Sequence, residues 1–513
     1  MKQYQIKTQF EIEESESFWG GAVAHGIHMP LTRDSDWSFD SNLQGTTNPV
    51  SGIFVSSKGR YFLLKDDFKI SVKAGRITVE TDEPPIVKQA GDTLKEAYLS
   101  AAATFGRDSL SVPRELMTHP QYCTWTEMLT DITQEKVLDY ARSIQESGMP
   151  YAALILDDGW MRAYGEWEFV QEKFSSPKAM VEELHKAGFK VQLWLVPFVD
   201  KNARDYELLV QNDALVRGAD GKVAEREWWN GTSPVLDMTS PFAWNWLKNQ
   251  LDSLVERYGI DGFKFDAGDC IYYSDDDITA KPTTASGQNL LWAEFAGQYR
   301  YSELRACFNY AGRHTIIRLC DKRRSWDRAE GLGALVPNMI NAGLCGYPYT
   351  CADMIGGGSI ADFEGEGHGI DYELISRFCE CAALMPCMQF SNAYWRRNDI
   401  IKEMFLKYAK LHLELKEYLT ALIDEAENTH APILRALEYE FPHQGFEKEV
   451  DDFMLGSEYL VSPVIVKGQT EKTLTLPCGS DWLYVPTGER YRGGEKVIVP
   501  APVGMLPYFK KIN

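Results

Sequence analysis

The chain has 513 residues, of which 44% are hydrophobic and 25% charged, an ordinary globular balance with room for roughly three domains or one large domain with additions. Its formal net charge of −21 argues against a nucleic-acid or anionic-membrane partner, because both need a basic surface. No run of about eighteen apolar residues exists to span a bilayer, and MKQYQIKTQFEIEESESF has no apolar segment of the signal-peptide kind.

Residues 1–112 are expected to form a β-sandwich. Short alternating runs at Gln5–Phe10, Gly52–Val55, Tyr61–Leu64, Lys69–Val72 and Ile77–Thr81 are separated by Gly, Ser and Asp turns. Between the first two lies FWGGAVAHGIHMP, Phe18 to Pro30, whose glycines suit a loop packed against another domain. Its His25 and His28 are candidate site residues, although a lone His is more often structural.

From about Leu116 strand and helix alternate. Tyr122–Trp125, Ala152–Leu156, Val191–Val196, Ile260–Phe265, Thr315–Leu319, Leu344–Tyr349 and Leu384–Phe390 read as strands, and Ile433–Leu437 as the eighth. Helices are expected at Thr133–Ser147, Ser176–Ala187, Phe242–Tyr258, Gly331–Ala342, Asp371–Cys381 and Ile400–Leu422, with Thr133 as a cap and Pro177 in a first turn. This alternation over residues 113–440 is the signature of a (β/α)8 TIM barrel, an α/β fold. From 441 to 513 strands return, punctuated by Gly and Pro, as a small C-terminal β-domain.

Ten cysteines are scattered, and Cys307, Cys320, Cys345, Cys379, Cys381 and Cys387 fall in apolar runs. They predict reduced core thiols and a cytoplasmic location. Cys379 and Cys381 are too close to form a zinc pair, and no Cys/His spacing suits a metal.

The chemistry is concentrated at strand ends. In YGIDGFKFDAGD, Tyr258 to Asp269, a helix ends, a short alternating strand follows, and Asp266 closes it. A carboxylate at the C-terminal end of a barrel strand is where this fold places its site, although Asp266 could instead cap the next helix. Lys264 points the same way as Asp266, and a Lys and an Asp among apolar neighbours are costly unless paired or functional. Asp157, Asp158, Asp321 and Asp353 also stand at or near strand ends. Such an acidic crater suits either a divalent metal or a polyhydroxylated ligand. Lys264, Arg305 and Arg318 would repel a metal, and Trp125, Trp160, Trp194, Trp229 and Trp326 offer flat faces, so a sugar pocket is preferred. Any single Trp could equally be core, Asp158 could cap the turn before Gly159, and Asp237 is expected to cap the helix around Phe242–Tyr258.

The ordered set Asp157-Asp158-Gly159-Trp160, Trp228-Trp229-Asn230-Gly231, Leu236-Asp237-Met238-Thr239, Phe263-Lys264-Phe265-Asp266 and Asp353-Met354-Ile355-Gly356-Gly357 resembles glycoside hydrolase family 31. Within that family it is most similar to the subgroup of the myogenesis-regulating glycosidase and its bacterial relatives, which LMPCMQFS (384–391) and PILRAL (432–437) also fit. The resemblance implies a retaining α-glycosidase without a cofactor. It implies Asp266 as nucleophile and Asp321 as acid/base, the latter sixteen residues after Arg305 and five before Trp326. It further implies Asp157, Asp158, Trp194, Trp229, Lys264, Arg305, Trp326 and Asp353 as substrate-binding residues, Asp353 being taken as the strand-six Asp. Trp194 matches a position that resembles a galactose selector, so an α-galactoside is the first expected substrate. An α-glucoside or a modified α-sugar comes second, and a catalytically silent carbohydrate-binding protein is the alternative of a different class. Three positions depart from many α-glucosidases of the family: Ser391 stands for His, Cys320 for Gly, and Asp269 for Glu. Arg318 lies three residues before Asp321, on the opposite face of a regular strand, and only a bend at Cys320 would bring the two together. The expected partner is a small carbohydrate, with a homo-oligomer left open.

Overall fold

The computed structural model describes residues 4–42, 49–106, 110–363 and 370–512. The N-terminal part is two four-stranded antiparallel sheets. One runs Ile6–Glu11, Arg76–Thr81, Phe68–Lys73, Trp37–Asp40 in spatial order, and the other Phe18–Ala22, Val50–Ser56, Arg60–Leu63, Ile86–Gln89. Alternation explains the first sheet, since Phe68, Ile70 and Val72 are buried while Lys69 and Lys73 are exposed. Aromatic side chains join the sheets, with Phe54 packing edge-on to Phe68 at 6.1 Å.

The stretch expected as a loop at Phe18–Pro30 is instead a strand, Phe18–Ala22, followed by a 3-10 turn, Val23–His28. Every residue of that strand is buried, which erases the alternating pattern. Gly20 takes φ +147°, and a Cβ there would lie 2.1 Å from the Ile53 carbonyl oxygen. The stretch does pack against another domain. Asn341, on the barrel helix Leu335–Leu344, accepts from the Gly20 N–H at 3.1 Å and donates to the Ala22 carbonyl at 2.9 Å.

Eight parallel strands close the barrel: Gln121–Cys123, Ala153–Leu156, Lys190–Leu195, Gly262–Phe265, Tyr301–Leu304, Ile316–Arg318, Thr350–Met354 and Cys387–Phe390. Strand five, Tyr301–Leu304, was not expected from the sequence, because it places Glu303 inside the barrel and so lacks an apolar run. Strand seven begins at Thr350 rather than Leu344, since the preceding helix runs to Leu344, and Asp353 therefore belongs to strand seven and not strand six. The segment expected as the eighth strand leaves the barrel: Leu434–Arg435 pairs with Phe453–Leu455 in the C-terminal sheet. That six-stranded sheet and a two-stranded one enclose their own core around Trp482, Tyr484, Leu460 and Phe509. The long helix expected at Ile400–Leu422 is two, Asp399–Glu414 and Lys416–Thr429.

The helices follow local rules. Thr133 accepts from the Lys136 N–H to open Gln134–Ser147, and Gly148 closes it at φ +75°. Ser240 accepts from the Ala243 N–H to open Pro241–Tyr258. Asp237, expected as that cap, accepts instead from Thr239, Ala280 and Gln288, because Ser240 already occupies the capping position.

The contact between the sheets and the barrel can be tested at Gly26, where a Cβ would stand 2.3 Å from the Pro337 carbonyl oxygen. Gly26→Ala is expected to lower stability by about 1–3 kcal/mol through overpacking. A urea-unfolding midpoint equal to wild type would show that the interface relaxes freely.

Candidate active site

Strand ends set the geometry. Asp157 and Asp158 follow strand two, Trp194 lies near the end of strand three, Lys264 and Asp266 belong to strand four and its exit, Arg305 follows strand five, and Asp321 lies just beyond strand six. All seven, with Trp125, Ser359 and Ile360, line one pocket of about 120 Å³ at the C-terminal face of the barrel. Trp229 reaches it from the tip of a hairpin, Glu225–Trp228 and Gly231–Pro234, and remains 40% exposed at the rim.

Beneath the pocket the barrel interior is ionic. Arg318, only 1% exposed, places Nε 3.1 Å from Glu303 Oε1 and Nη1 3.0 Å from Asp353 Oδ1. The same guanidinium reaches both proposed catalytic carboxyls, with Nη1 2.5 Å from Asp321 Oδ1 and Nη2 3.7 Å from Asp266 Oδ1. The chain therefore does bend after strand six, and Arg318 and Asp321 meet. Gln389 on strand eight donates to the other Glu303 oxygen at 2.8 Å.

Asp266 is held on both oxygens. Arg305 Nε lies 2.7 Å from Oδ1, and the Trp194 indole N–H donates to Oδ2 at 2.8 Å. Burial alone would raise its pKa, but Arg305, then Arg318 and Lys264, hold it well below the usual carboxylate range. Arg305 also pairs with Asp269 Oδ2 at 2.9 Å and lies over the Trp229 ring, 5.3 Å from its centroid. Lys264 Nζ sits 2.7 Å from Asp157 Oδ2, which the Cys123 thiol also approaches as donor at 3.0 Å. Burial works most strongly against the Lys264 charge, but Asp157, Cys123 and Glu303 together outweigh it and the pKa rises.

Three further carboxyls shift the opposite way. Burial pushes Asp158 up to about 6, with Asp157 and Asp266 adding repulsion and a hydrogen bond from Tyr164 opposing it. Burial also pushes Asp269 up to about 6 against the pull of Arg305, and Asp353 up to about 6 against that of Arg318.

Two of the residues expected to bind substrate stand elsewhere. Trp326 is not part of the pocket wall, because its indole N–H donates to Asp371, the cap of helix Tyr372–Ala383, at 3.0 Å. Asp353 lies behind the wall, at φ +76°, with Oδ2 accepting from the Lys322 N–H at 2.7 Å and the Gly358 N–H at 3.1 Å. It thereby ties the loop after Asp321 to the loop that carries Ser359 and Ile360. His25 and His28 lie in the 3-10 turn, which packs against helix Leu335–Leu344, and are absent from the pocket. Ser391 accepts from the Thr126 N–H at 2.8 Å, an anchoring contact. Glu303 was missed; alternation along strand five places it on the opposite face from Leu304, a signal that requires the strand itself to be recognised. Among the described residues, no three His, Cys, Asp or Glu are arranged to hold a metal ion. Of the pocket carboxyls, Asp157, Asp266 and Asp321 face lysine or arginine instead.

Comparison with known proteins matches residues 113–422 to the family model "Glycosyl hydrolases family 31 TIM-barrel domain" and residues 430–513 to "Glycosyl hydrolase family 31 C-terminal domain". The myogenesis-regulating glycosidase of Mus musculus is 32% identical over 73% of this chain and 54% of its own length. The chain thus spans about half the length of that relative. The alpha-xylosidase of Saccharolobus solfataricus is 24% identical over 99% of this chain and 71% of its own. The crystal structure of a GH31 alpha-xylosidase from a soil metagenome, complexed with xylose, superposes with TM-score 0.85 at 21% identity, covering 98% of this chain and 79% of that one. At that identity the likeness is one of fold.

Two stability measurements follow from the ion network. Arg318→Met should destabilise by about 3–5 kcal/mol, because Glu303 and Asp353 would remain buried without their cation; an unfolding midpoint equal to wild type would deny the network a structural role. Asp269 binds its proton more tightly folded than unfolded, so its contribution is present at low pH and lost as pH rises through about 6. Wild type should therefore gain on Asp269→Asn by about 2 kcal/mol between pH 7 and pH 4, and a pH-independent gap would contradict the shift.

Proposed function

The chain belongs to glycosyl hydrolase family 31, and from that premise we propose that it is a retaining α-glycosidase, releasing a terminal α-linked sugar by double displacement. The observation that carries this is the treatment of Asp266: buried, kept ionised by Arg305 and Arg318, and aimed by the Trp194 N–H on Oδ2. An ionised carboxylate in a sugar-sized pocket is a nucleophile for an anomeric carbon. Asp321 is the acid/base. Its side chain is 36% exposed towards the mouth, where the leaving oxygen would lie. Arg318 engages only its Oδ1, so Oδ2 is the oxygen that carries the proton to the leaving group and later takes one from water. Asp157, Asp158 and Trp229 form the wall that a sugar ring and its hydroxyls would meet.

For the glycone, the α-xylosidase relatives favour an α-glucoside or another sugar of the same ring configuration, since xylose shares the ring hydroxyls of glucose. An α-galactoside is the second reading, and Trp194 supports it. A sugar bearing a strong acid group is disfavoured, because both cations in the wall are already paired, Lys264 with Asp157 and Arg305 with Asp266 and Asp269. The ten cysteines are all free and mostly buried, which suits the reducing cytoplasm.

A panel of p-nitrophenyl α-glycosides tests this directly. The α-glucoside or α-xyloside should turn over, and Asp266→Ala should lower kcat by about 10⁴-fold or more. Turnover of the α-galactoside alone would keep the mechanism and reverse the order of substrates. Activity that survives Asp266→Ala would reject the double-displacement assignment.

A further inference from the structure

Tyr164 belongs to none of the motifs above and does not line the pocket, yet its phenol joins two parts of it. It sits in the turn between two short strands, Met161–Ala163 and Glu166–Phe169, that follow barrel strand two. Its backbone is doubly tied to the strand-three exit: Tyr164 N–H donates to Asp200 Oδ2 at 3.1 Å, and Asp200 N–H donates to the Tyr164 carbonyl at 2.8 Å. Its ring is wedged edge-on between Trp228, 4.9 Å away, and Trp194, 6.1 Å away. The hydroxyl then makes two bonds. It donates to Asp158 Oδ2 at 2.9 Å and accepts from Asn230 Nδ2 at 2.5 Å. Asp158 is a wall carboxyl, and Asn230 is the residue after Trp229 at the tip of the rim hairpin.

We propose that Tyr164 is a positioning residue which sets the orientation of Asp158 and the height of Trp229 together, so that wall and rim meet one sugar ring as a unit. The proposal rests on the glycosidase reading for its kinetic consequence and on geometry for its physical one. Tyr164 remains a donor at every working pH, since burial and Asp158 both raise the phenol pKa. The groups facing Asp158 are Asp157, Asp266 and this phenol; burial and the two carboxylates push its proton affinity up, and the phenol opposes them. Loss of the hydroxyl therefore moves the Asp158 midpoint from about 6 to a higher value, because a donor to the ionised form is gone. Asn230 is held by the acceptor side of the same oxygen, so the rim loses its anchor in the same step.

The test is Tyr164→Phe, which keeps the ring between its two tryptophans, with thermal melting to verify folding. Asp158 is titrated by carboxyl ¹³C NMR, its signal assigned with Asp158→Asn. Its midpoint should rise by about one pH unit, and KM for the p-nitrophenyl substrate should rise about tenfold with kcat changed less. The acid limb of kcat/KM should move upward with the midpoint. Asn230→Ala, an exposed change, should raise KM and leave the midpoint in place. An Asp158 midpoint equal to wild type in Tyr164→Phe overturns the proposal whatever the kinetics. A wild type that turns over no sugar removes the glycosidase reading, and the titration still decides on Tyr164.

Discussion

One buried guanidinium holds the centre of this molecule. Arg318 projects into the barrel from strand six and meets carboxyls from strand four, strand five, strand seven and the loop after its own strand. A barrel interior is ordinarily filled by layers of branched aliphatic side chains. Here Lys264, Glu303, Arg318 and Gln389 occupy it, and each is buried. Desolvating so many ions is expensive unless every one finds a partner. The sharing of Arg318 meets that condition and ties the strand ends to one another. The pocket above is therefore a continuation of the barrel's internal ion network.

The same network divides the acids. Asp266 feels Arg305, Arg318 and Lys264 and stays ionised, while Asp158, Asp269 and Asp353 are dominated by burial and hold protons up to about pH 6. Chemically identical groups a few ångströms apart thus acquire different proton affinities from their surroundings alone, as a site running acid and base chemistry together requires. The cations do not remain free to bind a ligand, since each is consumed in setting these affinities.

Much of this was legible in the sequence, and the gaps have physical causes. Strand-end carboxylates are readable because a short apolar run followed by Asp and small residues is a local pattern, as in Phe263 to Gly268. Strand five escaped because its inward residue is Glu303, so the run has no apolar face. The strand Phe18–Ala22 escaped for the opposite reason, since both of its faces are covered and two glycines imitate a loop. Leu434–Arg435 resembles a barrel strand in composition, and only its pairing partner reveals that it belongs to the C-terminal sheet. Trp326 was assigned to the pocket by its spacing from Asp321, but spacing along a loop does not fix direction, and Asp371 claims its indole. Tyr164 could not be read at all, because it belongs to no motif and its hydroxyl joins Asp158 to Asn230, which lies 66 residues further along the chain and meets it only in the folded structure.

The docking of Asn341 onto the strand Phe18–Ala22 has a consequence for the modularity of the chain. The helix that carries Asn341 leads directly into strand seven, whose Asp353 fastens together the neighbouring loops after strands six and seven. The N-terminal sheets are thus a buttress for the scaffold behind the site, and the barrel is not a cassette that could be lifted out and grafted elsewhere. A barrel separated from them would expose a helix face whose polar groups are committed to a foreign backbone. It would also lose the brace that keeps strand seven in register. For a chain of this design the unit of inheritance, and of engineering, is the barrel together with the sheets that lean on it.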